Sequence, residues 1–521
     1  MEFLTYRVFL MIVLCVGMIN QFSQRICLSM AVICMTNHTA VALLYEENEN
    51  SGKRRNSTTC AGSPAHLINT TRIVNDGPFV WDSRTRGNIL GVFFWGYLAG
   101  QIPTSLLLRR FGARRIMFIN LIVFGAATML IPAALMFSVY LLYIMRVISG
   151  FVSAAWLPGF YQIWASWAPP NERGVLIGVS FAGMQIGNAI ALSMTGAFCQ
   201  SSVGWPLVFY FYGACSLAYC IIWLLFVYDT PSENPRVSSK EKNFLLAVCG
   251  TAGKNQQRTG SIPVLAMLKS VPLWAFLLFV IGYDWNNYTF LTVIPTYMRE
   301  VLAFDISENA GLSALPFIGL LIGQVFSGWL TDFILDHKLV SLNVVRKTAT
   351  GIGMFTPGIV LILISLFDCE HKYIVVAIFT FGLMFNSGVF AGGFLNPIEL
   401  SPKHAGIILS TANTLSALAG VFGPMLAGAL TPHGTYQEWR IVFYIGAAIY
   451  FATGIFYVCC SSTVVQPWAI EPGDVFSSGD LGIPVSPGVA PKKPSFGSLS
   501  SKAAWQQPEE HDVLLVKATN S

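Results

Sequence analysis

Apolar runs separated by short polar connectors organise nearly the whole chain. A helix that crosses the hydrocarbon core of a bilayer needs about 20 mostly apolar residues. Twelve stretches qualify: 8–34, 88–108, 115–136, 138–167, 174–198, 205–228, 272–296, 309–331, 347–368, 373–396, 405–430 and 439–461. Very short connectors set the splits between the third and fourth runs and between the ninth and tenth. The pattern predicts an all-α polytopic membrane protein with this organisation: N-terminus and first helix over 1–34, a polar loop over 35–87, the rest of a first six-helix half over 88–228, a central loop over 229–271, a second six-helix half over 272–461, and a Pro-, Ser- and Gly-rich tail over 462–521 that is expected to be disordered.

Composition agrees with the pattern. Only 11% of the residues are charged, against about 25% in a soluble protein, and the mean hydropathy is +0.59. The net charge of +5 sits mainly in loops, so it follows membrane topology and points to no nucleic-acid partner. The eleven cysteines show no CxxC pair and no metal-ligand spacing, and most lie in apolar runs, where cysteine acts as a small hydrophobe. Cys60, Cys199 and Cys369 fall at the outer face of this topology, where an oxidising compartment would permit a disulfide between two of them. No HExxH, Gly-x-Ser-x-Gly elbow or pair of intramembrane carboxylates supports an intramembrane enzyme. No cofactor is implied, and a monomer is expected.

Two features orient the chain. The 35–87 loop carries three glycosylation sequons, at Asn37, Asn56 and Asn69, which are used only on the extracellular or lumenal side. The loop after the second run, Arg109-Arg110-Phe111-Gly112-Ala113-Arg114-Arg115, is short and basic, hence cytoplasmic. Both features place the N- and C-termini in the cytosol. A fourth sequon, at Asn287, lies inside the seventh run and is expected to be unmodified. In the tail, Glu510 stands four residues before Leu514-Leu515. That spacing resembles an adaptor-read sorting signal for endosomes and lysosomes, so the plasma membrane and a lysosomal or vesicular membrane both remain open.

The charges inside the runs are few. Arg25 lies in the first and Arg146 in the fourth. A charge there costs about 2.5–3.5 kcal/mol on insertion scales, and a guanidinium offers bidentate bonds to carboxylate or phosphate. Two such cations suggest a cavity for a small anion. Asp284 is the one acid placed deep in a run. It is a candidate to protonate, to bind sodium, or to balance the arginines as a counter-ion. Trp156, Tyr161, Trp285 and Tyr288 are open to either cavity lining or packing.

The six-plus-six plan is that of major facilitator transporters, whose site lies at mid-depth between pseudo-symmetric halves. The loop motif of that superfamily is visible after the second span of the second half, as Gly328-Trp329-Leu330-Thr331-Asp332 followed by Arg346-Lys347. In the first half it is partly kept, with Arg109, Arg110 and Gly112. These residues are expected to steady a gate. More specifically, Phe93-Phe94-Trp95-Gly96-Tyr97 with Gln101-Ile102-Pro103, Trp164-x-x-Trp167-Ala168-Pro169-Pro170-x-Glu172-Arg173, Gly204-Trp205-Pro206-x-Val208-Phe209-Tyr210, Pro295-Thr296-Tyr297-Met298 and Glu399-Leu400-Ser401-Pro402-x-His404-Ala405-Gly406 resemble the anion/cation symporter family. That family includes sialin, the vesicular glutamate transporters and sodium–phosphate cotransporters. The resemblance covers about residues 8–470.

The resemblance implies a secondary active transporter of a small organic anion or inorganic phosphate. Arg25 and Arg146 then stand at the family's substrate-binding arginines, Tyr283 at a seventh-helix site position and Asn396 at a tenth-helix one. It also implies differences. Proton-coupled members carry acids three and seven residues after the fourth-helix arginine, and here those positions are Ser149 and Ser153. The histidines of the second and tenth helices in glutamate transporters are Leu90 and Pro397. Co-transported Na+, H+ or Cl- therefore remain alternatives. A non-transporting receptor or scaffold is the rival reading, and two costly buried arginines argue against it.

Overall fold

The computed structural model describes residues 5–41, 43, 77–169, 172–255, 263–367, 369–469, 475–476 and 514–515. Among these, long helices dominate: α1 (Tyr6–Met35), α2 (Ser83–Phe111), α3 (Ala113–Phe137), α4 (Val139–Trp167), α5 (Arg173–Cys199), α6 (Pro206–Phe226), α7 (Val271–Glu300), α8 (Ile306–Asp336), α9 (Leu342–Ile364), α10 (Lys372–Leu400), α11 (Ala405–Leu430) and α12 (Tyr436–Cys460). Eleven of the described helices are long and apolar enough to cross a membrane. The twelfth, α7, is as long but more polar. Its Asn286 amide donates to the Gly282 and Gly446 carbonyls, and Asp284, Thr289 and Thr292 are buried beside it. These groups face protein rather than lipid, so α7 can be the more polar helix and still cross. Val475–Phe476 and Leu514–Leu515 pair as two-residue antiparallel strands.

Helix ends follow local chemistry. α2 starts ahead of the apolar run that begins at residue 88, because Asp82 caps it by accepting from the Thr85 amide. The short connector between α3 and α4 is Ser138, whose hydroxyl accepts from the Tyr140 amide. α4 is broken at Ala154-Ala155, where Pro158 has no N–H to give the Ala154 carbonyl. Its symmetry mate α10 is broken at Ser387 and again around Gly392, ahead of Pro397. Interrupted helices at corresponding positions of two halves mark the region of a transport site. Gly112 ends α2 at φ 85°, a conformation that favours glycine. A Cβ there would also meet the Asp229 carboxylate at 2.4 Å, which accepts from the Arg114 amide.

The disulfide joins Cys34 at the end of α1 to Cys199 at the end of α5. The sequence points to a bridge between two of Cys60, Cys199 and Cys369; Cys199 does pair, but with Cys34. Cys34 closes an apolar run and reads as one more small hydrophobe, yet it occupies the last turn of α1, beside the end of α5. Cys60 lies outside the described residues. Peptide mapping of denatured protein should find Cys34 and Cys199 alkylated only after reduction.

The two halves meet at the disulfide end and part at the other. α2 packs on α11, α5 on α8 and α1 on α7. Gly87 and Gly428 let α2 and α11 close: a Cβ on Gly87 would lie 2.6 Å from the Pro424 carbonyl, and one on Gly428 would lie 2.4 Å from that of Ser83. Between the same ends, Arg86 of α2 and Glu300 of α7 form an ion pair at 2.5 Å with both side chains 7% exposed. Farther in, the Asn413 amide donates to the Tyr97 hydroxyl at 3.2 Å. Among the described residues, the hydrogen bonds, ion pairs and ring contacts between halves all lie from the disulfide end to this level. Beyond it Ser410 and Thr411 of α11 are exposed, and a Cβ on Gly174, Gly328 or Gly406 would meet no atom within 4 Å.

Candidate substrate site

Arg25 and Arg146 converge where the halves meet at mid-depth. Both are buried, at 8% and 4% exposure. The Arg146 Nη2 approaches the Arg25 carbonyl at 3.5 Å, and both guanidiniums stand over the Phe93 ring, at 5.3 Å and 4.8 Å from its centroid. Four further rings surround Arg25: Phe22 at 5.7 Å, Phe94 at 4.9 Å, Tyr97 at 5.3 Å and Tyr288 at 4.8 Å. Such contacts stabilise a desolvated cation by about 2 kcal/mol or more and leave its N–H groups free. Nε and Nη2 of Arg25 and Nε of Arg146 are buried without a hydrogen-bond partner. An unpaired charged donor is costly to bury, so this geometry suits a ligand that supplies acceptors.

Asp284 lies one turn before Tyr288 on α7. It is buried, flanked by Ser416 and Asn287, and within the field of Arg25. Of the two α7 tyrosines, Tyr288 rather than Tyr283 stands at Arg25. Tyr283 packs instead on Phe279, Phe390 and Phe394. Asn396 is buried at the far end of α10, where its amide donates to the Ser462 carbonyl at 2.7 Å. Neither residue is among the contacts of the two arginines. Trp156 is core, donating to the Met18 sulfur, and Tyr161 is 47% exposed.

The serines that replace the relatives' acids are occupied. Ser149 donates to the Met145 carbonyl, and Ser153 accepts from the Gln21 amide at 2.6 Å. Gln24 bonds Asn20 and Thr128. Neutral amides and hydroxyls thus fill the core of the first half beside the arginines.

The expected gate residues are dispersed. Gly328 and Asp332 lie inside α8, which runs on to Asp336, so this motif is helix rather than loop. Asp332, Arg109 and Arg110 are exposed, the last two in the final turn of α2, where cations suit the helix dipole. At that end Arg346 pairs with Glu399 at 2.7 Å, both half-buried. Asn37, at the end of α1, accepts from the Ala40 amide. Asn56, Asn69 and Glu510 lie outside the described residues.

Residues 13–424 match the Major Facilitator Superfamily, and sialin of Ovis aries is 34% identical over 455 residues, covering 87% of this chain and 89% of that protein. The chain belongs to the anion/cation symporter family of that superfamily. A putative inorganic phosphate cotransporter of Drosophila ananassae is 31% identical over 458 residues, covering 87% and 92%. The crystal structure of a bacterial homologue of the human lysosomal transporter Spinster, in an inward-facing and occupied conformation, aligns with a TM-score of 0.61 at 14% identity, over 87% of this chain and 97% of that one. That likeness is one of fold. This anion/cation symporter relative is a multi-pass membrane transporter of twelve helices, not an enzyme. The sequence pattern singles out the two arginines but gives Phe93, Phe94 and Tyr97 no role, although four aromatic residues in five, Phe93, Phe94, Trp95 and Tyr97, on a spanning helix could have signalled a ring-lined wall.

Proposed function

We propose that the chain moves a small anion, organic or inorganic phosphate, by alternating access, with Arg25 and Arg146 as its binding groups. The observation that carries this reading is the convergence of two buried guanidiniums with unpartnered N–H groups at the contact between halves. The Cys34–Cys199 bridge supports an outer or lumenal assignment for its end of the molecule, because disulfides persist in oxidising compartments. The termini and central loop are then cytosolic, the described conformation opens to the cytosol, and Asn56 and Asn69 are the favoured glycan acceptors, since the Asn37 side chain already serves a turn. The membrane is the plasma membrane or a lysosomal or vesicular one, with the Leu514-Leu515 tail read by sorting adaptors in the second case. The Arg346–Glu399 pair, with Asn396, belongs to the inner gate.

Sodium, chloride with voltage, or protons drive the cycle, and Asp284 is the coupling or counter-ion group. Labelled phosphate, urate, sialate, glutamate and aspartate, offered to liposomes holding the purified protein under imposed sodium, proton or electrical gradients, test the reading. Uptake of none of them would refute it. Asp284→Asn is expected to retain anion exchange across liposomes without a gradient and to lose at least about tenfold of gradient-driven accumulation, a free-energy change of about 1.4 kcal/mol. Equal loss of exchange would instead make Asp284 part of the anion site.

A further inference from the structure

We propose that the anion is a monocarboxylate with a flat aromatic body, which rests on the Phe94 and Tyr288 rings while its carboxylate takes the Arg25 fork. This deepens the reading of Arg25 and Arg146 as the anion site and rests on it. Three observations carry it. First, the unpartnered atoms of Arg25 are Nε and Nη2, which lie on the same edge of the guanidinium. That edge presents two parallel N–H groups, the pattern a carboxylate takes with both oxygens. Second, five rings flank Arg25. Phe94 and Tyr288 are in contact, 4.8 Å apart, and come from opposite halves. A tetrahedral oxyanion with four acceptors would press oxygens against the negative faces of these rings and leave some of them unpaired, which costs free energy. A planar apolar body instead finds offset or edge-on ring partners. Third, with Asp284 ionised beside Arg25, the two arginines and this acid carry one net positive charge, which one carboxylate neutralises.

The ring positions also tie recognition to the cycle. Phe94 sits on α2 and Tyr288 on α7, so a body resting on both bridges the halves at the level where they separate. A small carboxylate without that body would bind the fork and touch neither wall well.

The test uses the full chain in liposomes and a matched pair of anions, lactate and mandelate, which differ by a methyl against a phenyl group, with inorganic phosphate as the third probe. Mandelate is expected to half-saturate uptake at a concentration about five- to tenfold below that of lactate, the scale of one aromatic pair, and phosphate is expected not to compete. Phe94→Leu, which keeps an apolar side chain but removes the ring, should erase the mandelate advantage, bringing the half-saturating concentrations of mandelate and lactate together whatever the change in overall uptake. Tyr288→Leu gives the same comparison should Phe94→Leu fail to fold. Equal handling of lactate and mandelate, or preferential uptake of phosphate, overturns the aromatic class while the anion-transport reading stands. Uptake of none of the three overturns the aromatic class, and failure of the wider anion panel as well overturns both.

Discussion

Arg146→Ala is expected to reduce anion uptake at least about a hundredfold while the protein remains folded and membrane-inserted. Each charge-assisted hydrogen bond contributes about 1.5–3 kcal/mol, and a guanidinium can make two to one anion. The arginine is 4% exposed, so its bonds to the anion form in a desolvated site, where charged hydrogen bonds are strongest. Stability should move the other way or not at all: its Nε has no partner, and its remaining polar contact is the long one to the Arg25 carbonyl. Uptake by purified protein in liposomes, paired with a thermal melt, separates the two effects. Arg146→Lys keeps the charge and loses the fork, and should recover only part of the rate. A melting temperature that falls with uptake would make Arg146 a structural residue and remove it from the site.

The architecture was readable because lipid demands long apolar runs with satisfied backbones, and two buried arginines stand out against such a background. Position within a helix was less readable. Tyr283 and Tyr288 are five residues apart, so their side chains point about 140° apart on an α-helix, and packing alone decides which one meets Arg25. The structure turns Tyr283 into the phenylalanine cluster of α10 and Tyr288 onto the guanidinium. Asn396 resembles a site residue by alignment, but the breaks in α10 carry it to the Glu399–Arg346 end. Cys34 and Glu300 sit at helix ends, where apolar and polar patterns both fade, and their partners lie on other helices: Cys199 on α5 and Arg86 on α2. No local pattern encodes pairings of that kind.

The Arg86–Glu300 pair is the contact whose loss should most change the resting conformation. Glu300 gives one oxygen to Arg86 and the other to the Trp439 indole at 3.2 Å, and Arg86 also donates to Ser83. The pair crosses from α2 to α7 where the halves are closed, so opening that end separates it. Removing one partner leaves a charge buried alone, at a cost of about 3–5 kcal/mol. The cost falls on the closed form, because an open mouth rehydrates the survivor. Arg86→Met is therefore expected to shift the population towards opening at the disulfide end by a factor of about 100 or more. Hydrogen exchange should rise in the first turns of α2 and the last turns of α11, and fall at their opposite ends. Glu300→Gln in the same chain should reverse most of that shift, since a neutral amide still accepts from Trp439 and leaves no lone charge. The reversal is the decisive observation, because two additive losses would describe a helix contact rather than a gate. With the ion pair intact, the halves are closed at the disulfide end, and a cycle in which this pair breaks and re-forms once per turnover makes its strength a control on transport rate.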